Sequence, residues 1–303
     1  MEFSQNYRTN LFVNLFLVYI IWGSTYLGVK VGLKDFSPML LTALRFFCGG
    51  LILLLFSLLR GKRASLTEIK GSALIGAILT GLGTTAVAYA ILYIPSGLVA
   101  LLVAMLPLWV FLLDFFFFSR VKPSWLSITG IFTGLIGVLF LFNPFALTQE
   151  QALPFWPFLV VMFGSISWAF GSIISPRVKQ AKGVQGTAIQ MLAGGLIAAL
   201  FSLMLENNQW NSILHARGTS FGAMAYLIFV GSFVGYSAYV WLINHAPPLL
   251  TSSYAFVNPL VAIILGYFWV HEELSVSMLL ASAVILVGVI LMTLGRRRKN
   301  YEE

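Results

Sequence analysis

Long apolar runs separated by short polar punctuation dominate this chain. Runs of span length fall at roughly 11–31, 38–59, 71–94, 96–118, 124–142, 154–175, 187–205, 221–243, 248–270 and 276–295, each close to the ~20 residues that carry a helix across a bilayer. The pattern predicts an all-α membrane protein with ten transmembrane helices. Ile94, Pro95, Ser96 and Gly97 separate the third and fourth runs, and Ala246, Pro247 and Pro248 split the eighth and ninth. Both pairs are expected to be tight helical hairpins. Ten spans leave only short loops, so no soluble catalytic or nucleic-acid-binding domain fits between them.

The two halves resemble each other. Residues 49–58 read GGLILLLFSL and residues 194–203 read GGLIAALFSL, eight matches in ten at an offset of 145. Five spans fall in each half, and a five-span unit ends on the opposite side of the membrane from its start. The second copy therefore enters upside down. The expected architecture is two inverted five-helix repeats, residues 1–148 and 149–303, around a central cavity, an arrangement frequent among secondary transporters.

Charge supports the same topology. With the N-terminus inside, the inner segments hold fourteen Lys and Arg, among them Arg60, Lys62, Arg63, Arg120, Lys122, Arg177, Lys179 and Arg296 to Lys299; the outer loops hold Lys30, Lys34 and Arg217. Basic residues collect in cytoplasmic loops, so both termini are expected in the cytoplasm. Arg120 and Glu272 occupy equivalent positions at an offset of 152 but differ in sign, as an inverted repeat requires. With 59% hydrophobic and 9% charged residues, the net charge of +8 reflects this topology and not nucleic-acid binding.

Several enzymatic readings fall away. No His, Cys, Asp and Glu cluster has metal-ligand spacing, and neither a P-loop nor a dinucleotide fingerprint is present. No cofactor or metal is expected. Cys48 is the single cysteine, which excludes an internal disulfide. Met1 to Asn10 lacks a cleavable signal pattern, so the first apolar run is expected to remain as a helix. Gly130 and Gly134 form one G-x-x-x-G, weak evidence for a dimer, so the expected state is a monomer or weak homodimer in the lipid bilayer.

The residues with chemistry lie inside the spans. Pro107 and Pro259 fall near the middle of the fourth and ninth runs at equivalent positions, where a missing amide donor and a steric clash predict paired hinges. Trp22, Trp109 and Trp168 lie deep, and Trp22 and Trp168 are approximate repeat partners at an offset of 146. Helical spacing puts Trp22, Thr25 and Tyr26 on one face, Trp168 with Ser172, Tyr236 with Tyr239, and Tyr254 with Asn258; Tyr89 is the counterpart of Tyr239. Such faces can line an aromatic cavity with a few hydroxyl and amide groups, or can be ordinary helix packing. Arg45 and Asp114 are charges within spans, each costing about 2.5 to 3.5 kcal/mol at a helix centre. Arg45 can bind an anionic substrate group or brace the outer bundle. Asp114 can carry a coupling proton or be solvated near the inner mouth.

Together these features resemble the EamA-type branch of the drug/metabolite transporter superfamily. The resemblance is carried by WGSTYLGVK from Trp22 to Lys30, by Leu44, Arg45 and Phe46, by Ile94 to Ala104 before Pro107, and by Glu272 thirteen residues after Pro259. It implies a ten-helix alternating-access transporter of the bacterial inner membrane, usually an exporter of amino acids, metabolites or amphipathic toxicants, with an uptake permease of the same fold as the alternative. By position, Trp22, Tyr89, Trp109, Trp168 and Tyr239 are the implied cavity residues. The chain departs from the family pattern at Arg120, where the first repeat commonly has an acidic residue.

Overall fold

A computed structural model describes residues 5–61, 63–119, 124–141, 154–246, 251, 254–271 and 276–295, which form helices joined by short turns with no strand among them. In chain order the helices are α1 (Gln5–Gly32), α2 (Pro38–Leu59), α3 (Leu66–Ile91), α4 (Ser96–Phe118), α5 (Trp125–Leu141), α6 (Trp156–Arg177), α7 (Val184–Leu205), α8 (Gln209–His215), α9 (Gly218–His245), α10 (Tyr254–Val270) and α11 (Val276–Leu294). Seven stretches, in α1 to α4, α6, α7 and α9, are long and apolar enough to cross a membrane; Val257–Val270 and Leu279–Gly288 are shorter apolar stretches. The charge contrast of Arg120 and Glu272, the Pro247–Pro248 turn, and Lys62, Lys122 and Arg296 to Lys299 lie outside the described residues.

Local chemistry sets the helix starts. α3 begins five residues before its apolar run because Ser65 and Glu68 form a reciprocal cap: the Ser65 amide donates to Glu68 Oε2 at 2.8 Å, and the Glu68 amide donates to Ser65 Oγ at 3.4 Å. α2 starts with Pro38 in its first turn, where the missing amide costs nothing. Its next two amides donate to Glu206, at the end of α7: Met39 N to Oε1 at 2.7 Å and Leu40 N to Oε2 at 3.0 Å. A carboxylate here satisfies orphan donors and faces the positive end of the helix dipole. The short α8 escaped a reading based on apolar runs because Gln209, Asn211 and Ser212 are polar.

At the same end of the bundle, Arg217 NH2 lies 2.8 Å from Asp35 Oδ1, and the Ser220 hydroxyl donates to Asp35 Oδ2 at 2.6 Å. These donors, the Arg217 hydrogen bond foremost, hold the Asp35 carboxyl below the usual carboxylate range. A carboxyl whose folded pKa is depressed stabilises fully above its unfolded value and loses that contribution as pH falls through the folded one. Asp35→Asn should therefore lower Tm modestly at pH 5 to 8, with the difference from the parent shrinking as pH drops below about 4. Thermal melts across pH test this, and a difference that grew on acidification would refute it.

Helix pairing depends on small residues. α2 runs along α7, and a Cβ on Gly50 would lie 2.9 Å from Leu192 while one on Gly195 would lie 2.7 Å from the Phe47 backbone nitrogen. These contacts are reciprocal: Gly50 and Gly195, like Phe47 and Leu192, are separated by 145 residues. α5 runs along α11, where a Cβ on Gly288 would lie 2.4 Å from Gly134 N and 2.8 Å from Gly130 O. Gly288 thus approaches the backbone of the α5 G-x-x-x-G from within the chain.

Three helices widen, α4 at its end over Asp114–Ser119, and α4 also breaks. α3 adopts π-helical turns over Ala77–Thr84 and α9 over Leu227–Tyr236; such turns are frequent at functional sites. α4 is interrupted between Val103 and Leu106, directly before Pro107. Pro259 differs, since it sits inside the continuous helix Tyr254–Val270. Equivalent prolines therefore have unequal local effects.

Candidate functional site

The bundle encloses a cavity of about 100 Å³, room for several waters. Its wall comes from both halves of the chain: Trp22 to Val29 of α1, Leu41 to Phe46 of α2, Gly83 to Ile91 of α3, Val103 and Leu106 of α4, Gly164 to Trp168 of α6, Leu227 and Tyr236 of α9, and Tyr254 and Asn258 of α10. The widened turns supply Gly83, Thr84, Leu227 and Tyr236. The cavity occupies the half of α1 nearer the Asp35 and Glu206 contacts.

Toward the other end it meets an aromatic floor. Trp22 stands edge-on to Trp168, with centroids 5.6 Å apart at 84°, and to Tyr254 at 5.1 Å and 87°. Tyr239 lies 4.7 Å from Trp22 and 5.5 Å from Trp168. Edge-to-face rings are favoured by the aromatic quadrupole and contribute about 0.5 to 1.5 kcal/mol per pair beyond area. Trp22 can reach α9 because Gly235 is opposite, where a Cβ would lie 2.9 Å from the indole nitrogen.

Hydrogen bonds fix these rings. Trp168 Nε1 donates to the Tyr239 hydroxyl at 3.1 Å, and Ser172 Oγ lies 2.9 Å from the same oxygen. The Tyr236 hydroxyl donates to Gln190 Oε1 at 2.7 Å, and Gln190 Nε2 donates to Gln180 Oε1 at 2.6 Å. The Asn258 amide fits best with its nitrogen donating to the carbonyls of Tyr19 at 3.1 Å and Tyr254 at 3.2 Å. Trp168, Tyr239 and Tyr236 are thus held in place by named partners.

Arg45 is the charge at this site. Its residue is 6% exposed, its Nε donates to Ser232 Oγ at 2.7 Å, and its Cζ lies 4.9 Å from the Phe46 ring centre. Ser165, also on the wall, has a buried hydroxyl without a hydrogen-bond partner.

The structure groups some of the sequence-derived candidates and separates others. Trp22, Tyr26, Trp168, Asn258 and Arg45 line the cavity; Tyr239 and Ser172 stand behind Trp168. Tyr89 lies apart, its ring 5.3 Å from Tyr93 and 5.5 Å from Trp156. Trp109 packs in the apolar cluster around the floor without lining the cavity, and Asp114 opens a π-helical stretch at the end of α4, also off the wall. Thr42, Thr84 and Ser165 are wall residues that sequence reasoning missed. Single hydroxyls in apolar helices carry no periodic signal of their own, and only Gly83 and Gly164 beside two of them hinted at close approach.

A many-helix bundle with long apolar helices and a cavity built by both halves defines a multi-pass membrane protein. The chain belongs to the EamA-like transporter family, whose pattern matches residues 11–143 and again 155–294. It is accordingly a transporter and not an enzyme. It is 38% identical over 288 residues to the uncharacterized inner membrane transporter YedA of Escherichia coli K12, covering 94% of this chain and 91% of that one. A probable amino-acid metabolite efflux pump of Salmonella typhimurium is 24% identical, with 93% and 94% covered. A crystal structure that is 19% identical superposes with a TM-score of 0.67 over 94% of this chain and 97% of that one, a likeness of fold.

Proposed function

We propose that this protein is a secondary active exporter of small amphipathic organic solutes in the inner membrane, working by alternating access. Ten transmembrane helices form two inverted repeats, residues 1–148 and 149–303, with both termini cytoplasmic. The observation that carries the reading is the cavity walled by both halves and floored by Trp22, Trp168, Tyr239 and Tyr254. The reciprocal Gly50 and Gly195 contacts support duplication with inversion, since a twofold-related interface pairs each patch with its own counterpart. So do the π-helical turns beginning at Ala77 and Leu227, 150 residues apart. The packing pattern supports it as well, because α1 lies against α10 and α9 as α6 lies against α4 and α3.

In this reading the cavity faces outward and the aromatic floor closes it from the cytoplasm. Hinging at Pro107 and Pro259 exchanges the closed end. The efflux name of the Salmonella relative favours export over uptake.

Single-cysteine labelling tests the topology. With Cys48 replaced by Ser, Arg60→Cys and Arg177→Cys should react from one face of the membrane and Lys34→Cys from the other. Arg60 and Arg177 on opposite faces would defeat the inverted repeat. Export is tested by comparing metabolites retained in cells with and without the gene; greater retention in cells that carry it would instead mark an importer.

A further inference from the structure

Arg45 is a charge in a costly place, and no carboxylate among the described residues lines the cavity beside it. Burial of a guanidinium inside a membrane bundle is tolerated when it is paired or faces a polar cavity. Its hydrogen bond to Ser232 uses only Nε, which leaves the two terminal nitrogens, the pair that holds a carboxylate in two parallel bonds. Among the described residues the four carboxylates are Asp35, Glu68, Asp114 and Glu206, and none of them lines the cavity. Asp35 is held by Arg217 and Glu206 by the start of α2. Arg45 therefore gives the wall a positive charge without a negative one.

The rest of the wall has matching chemistry. The Ser165 hydroxyl is buried, on the wall and without a partner, as a donor awaiting an acceptor is. Trp22, Trp168 and Tyr254 present ring surfaces for an apolar body. A cation could rest only on the aromatic faces, beside a guanidinium of like charge and with no carboxylate among the described wall residues.

We infer that the cavity selects amphipathic organic monoanions, an aromatic or branched body bearing one carboxylate or sulfonate, over zwitterions, amides and amines, with Arg45 as the anion receptor and Ser232 as its positioning residue. This rests on the transport reading of the same cavity and narrows its substrate class. Ser232 fixes the guanidinium through Nε, and Phe46 supports its plane from below.

The test is calorimetric titration of the full chain in lipid nanodiscs at pH 7.5 with four probes of one scaffold: phenylacetate, phenylacetamide, 2-phenylethylamine and phenylalanine. Phenylacetate should bind at least tenfold more tightly than the other three. Arg45→Gln should reduce that preference over phenylacetamide to under twofold, and Arg45→Lys should retain part of it. Ser232→Ala should fall between. Equal affinity for anion and amide in the parent protein, or preference for amine or amino acid, overturns the inference while leaving the cavity reading in place. Binding of none of the four overturns both. The parent series requires no variant to fold, and a thermal unfolding profile equal to the parent's shows that Arg45→Gln is intact.

Discussion

Trp168→Ala should abolish detectable binding of aromatic probes and transport in proteoliposomes. The side chain is the junction of the floor: it meets Trp22 edge-on at 5.6 Å, Tyr239 at 5.5 Å and Tyr236 at 6.4 Å, and its indole nitrogen donates to Tyr239. Removing it opens a void below the cavity and frees the Tyr239 hydroxyl. Truncations of this kind cost about 3 to 5 kcal/mol where the ring is fully buried, and the half-buried Trp168 should fall at or below that range. Trp168→Phe separates packing from hydrogen bonding, because the ring remains while the donor is lost; a net hydrogen bond of about 0.5 to 1.5 kcal/mol predicts a loss of roughly twofold to tenfold. Unchanged binding by Trp168→Ala would remove the floor from the substrate site.

Gly195→Leu should separate α2 from α7 and leave little folded protein after solubilisation. A Cβ there already meets Phe47 N at 2.7 Å and Cα at 3.0 Å, and backbone cannot yield as a flexible side chain does. Overpacking commonly costs about 1 to 3 kcal/mol, and more when it must displace a helix. The informative comparison is Gly50→Leu. Its Cβ faces the Leu192 nitrogen at 2.9 Å and Ala188 O at 3.0 Å, so under inverted duplication both variants should lose similar amounts in thermal unfolding monitored by size-exclusion chromatography. A severe loss in one and none in the other would argue against a pseudo-twofold axis between α2 and α7.

The long helices were legible because the bilayer demands them. Runs of span length and their Pro, Gly and Ser punctuation predicted 38–59 and 96–118, the bounds of α2 and α4. The apolar pattern misplaces helix starts where polar residues extend a helix beyond its apolar run, as at Gln5 of α1, or where a side-chain cap fixes the end, as at α3. In the sequence the matched GGLI segments signal duplication alone; that Gly50 and Gly195 also let the backbones of α2 and α7 approach is seen only in the structure.

The site was legible by residue type more than by position. Deep tryptophans and tyrosines at helical spacing identified Trp22, Trp168 and Tyr239, because an indole or phenol inside hydrocarbon needs a polar partner. Tyr89 shares its repeat position with Tyr239 yet packs with Tyr93 and Trp156. Equivalence in sequence does not carry equivalence of neighbours when the two copies meet different helix faces. For Arg45 the sequence left receptor and brace open; the structure places it on the wall, bonded to a serine from the other half.

By itself, then, the sequence determined a membrane bundle, since hydrophobic length and the distribution of Lys and Arg are properties of the chain read one residue at a time. Tertiary structure decided which polar groups share a cavity. That depends on helix rotation and on distances between residues about 190 to 200 positions apart, such as Ser24 and Tyr226 at 2.5 Å and Arg45 and Ser232 at 2.7 Å, and no local periodicity encodes such pairings because they arise only when separate helices pack.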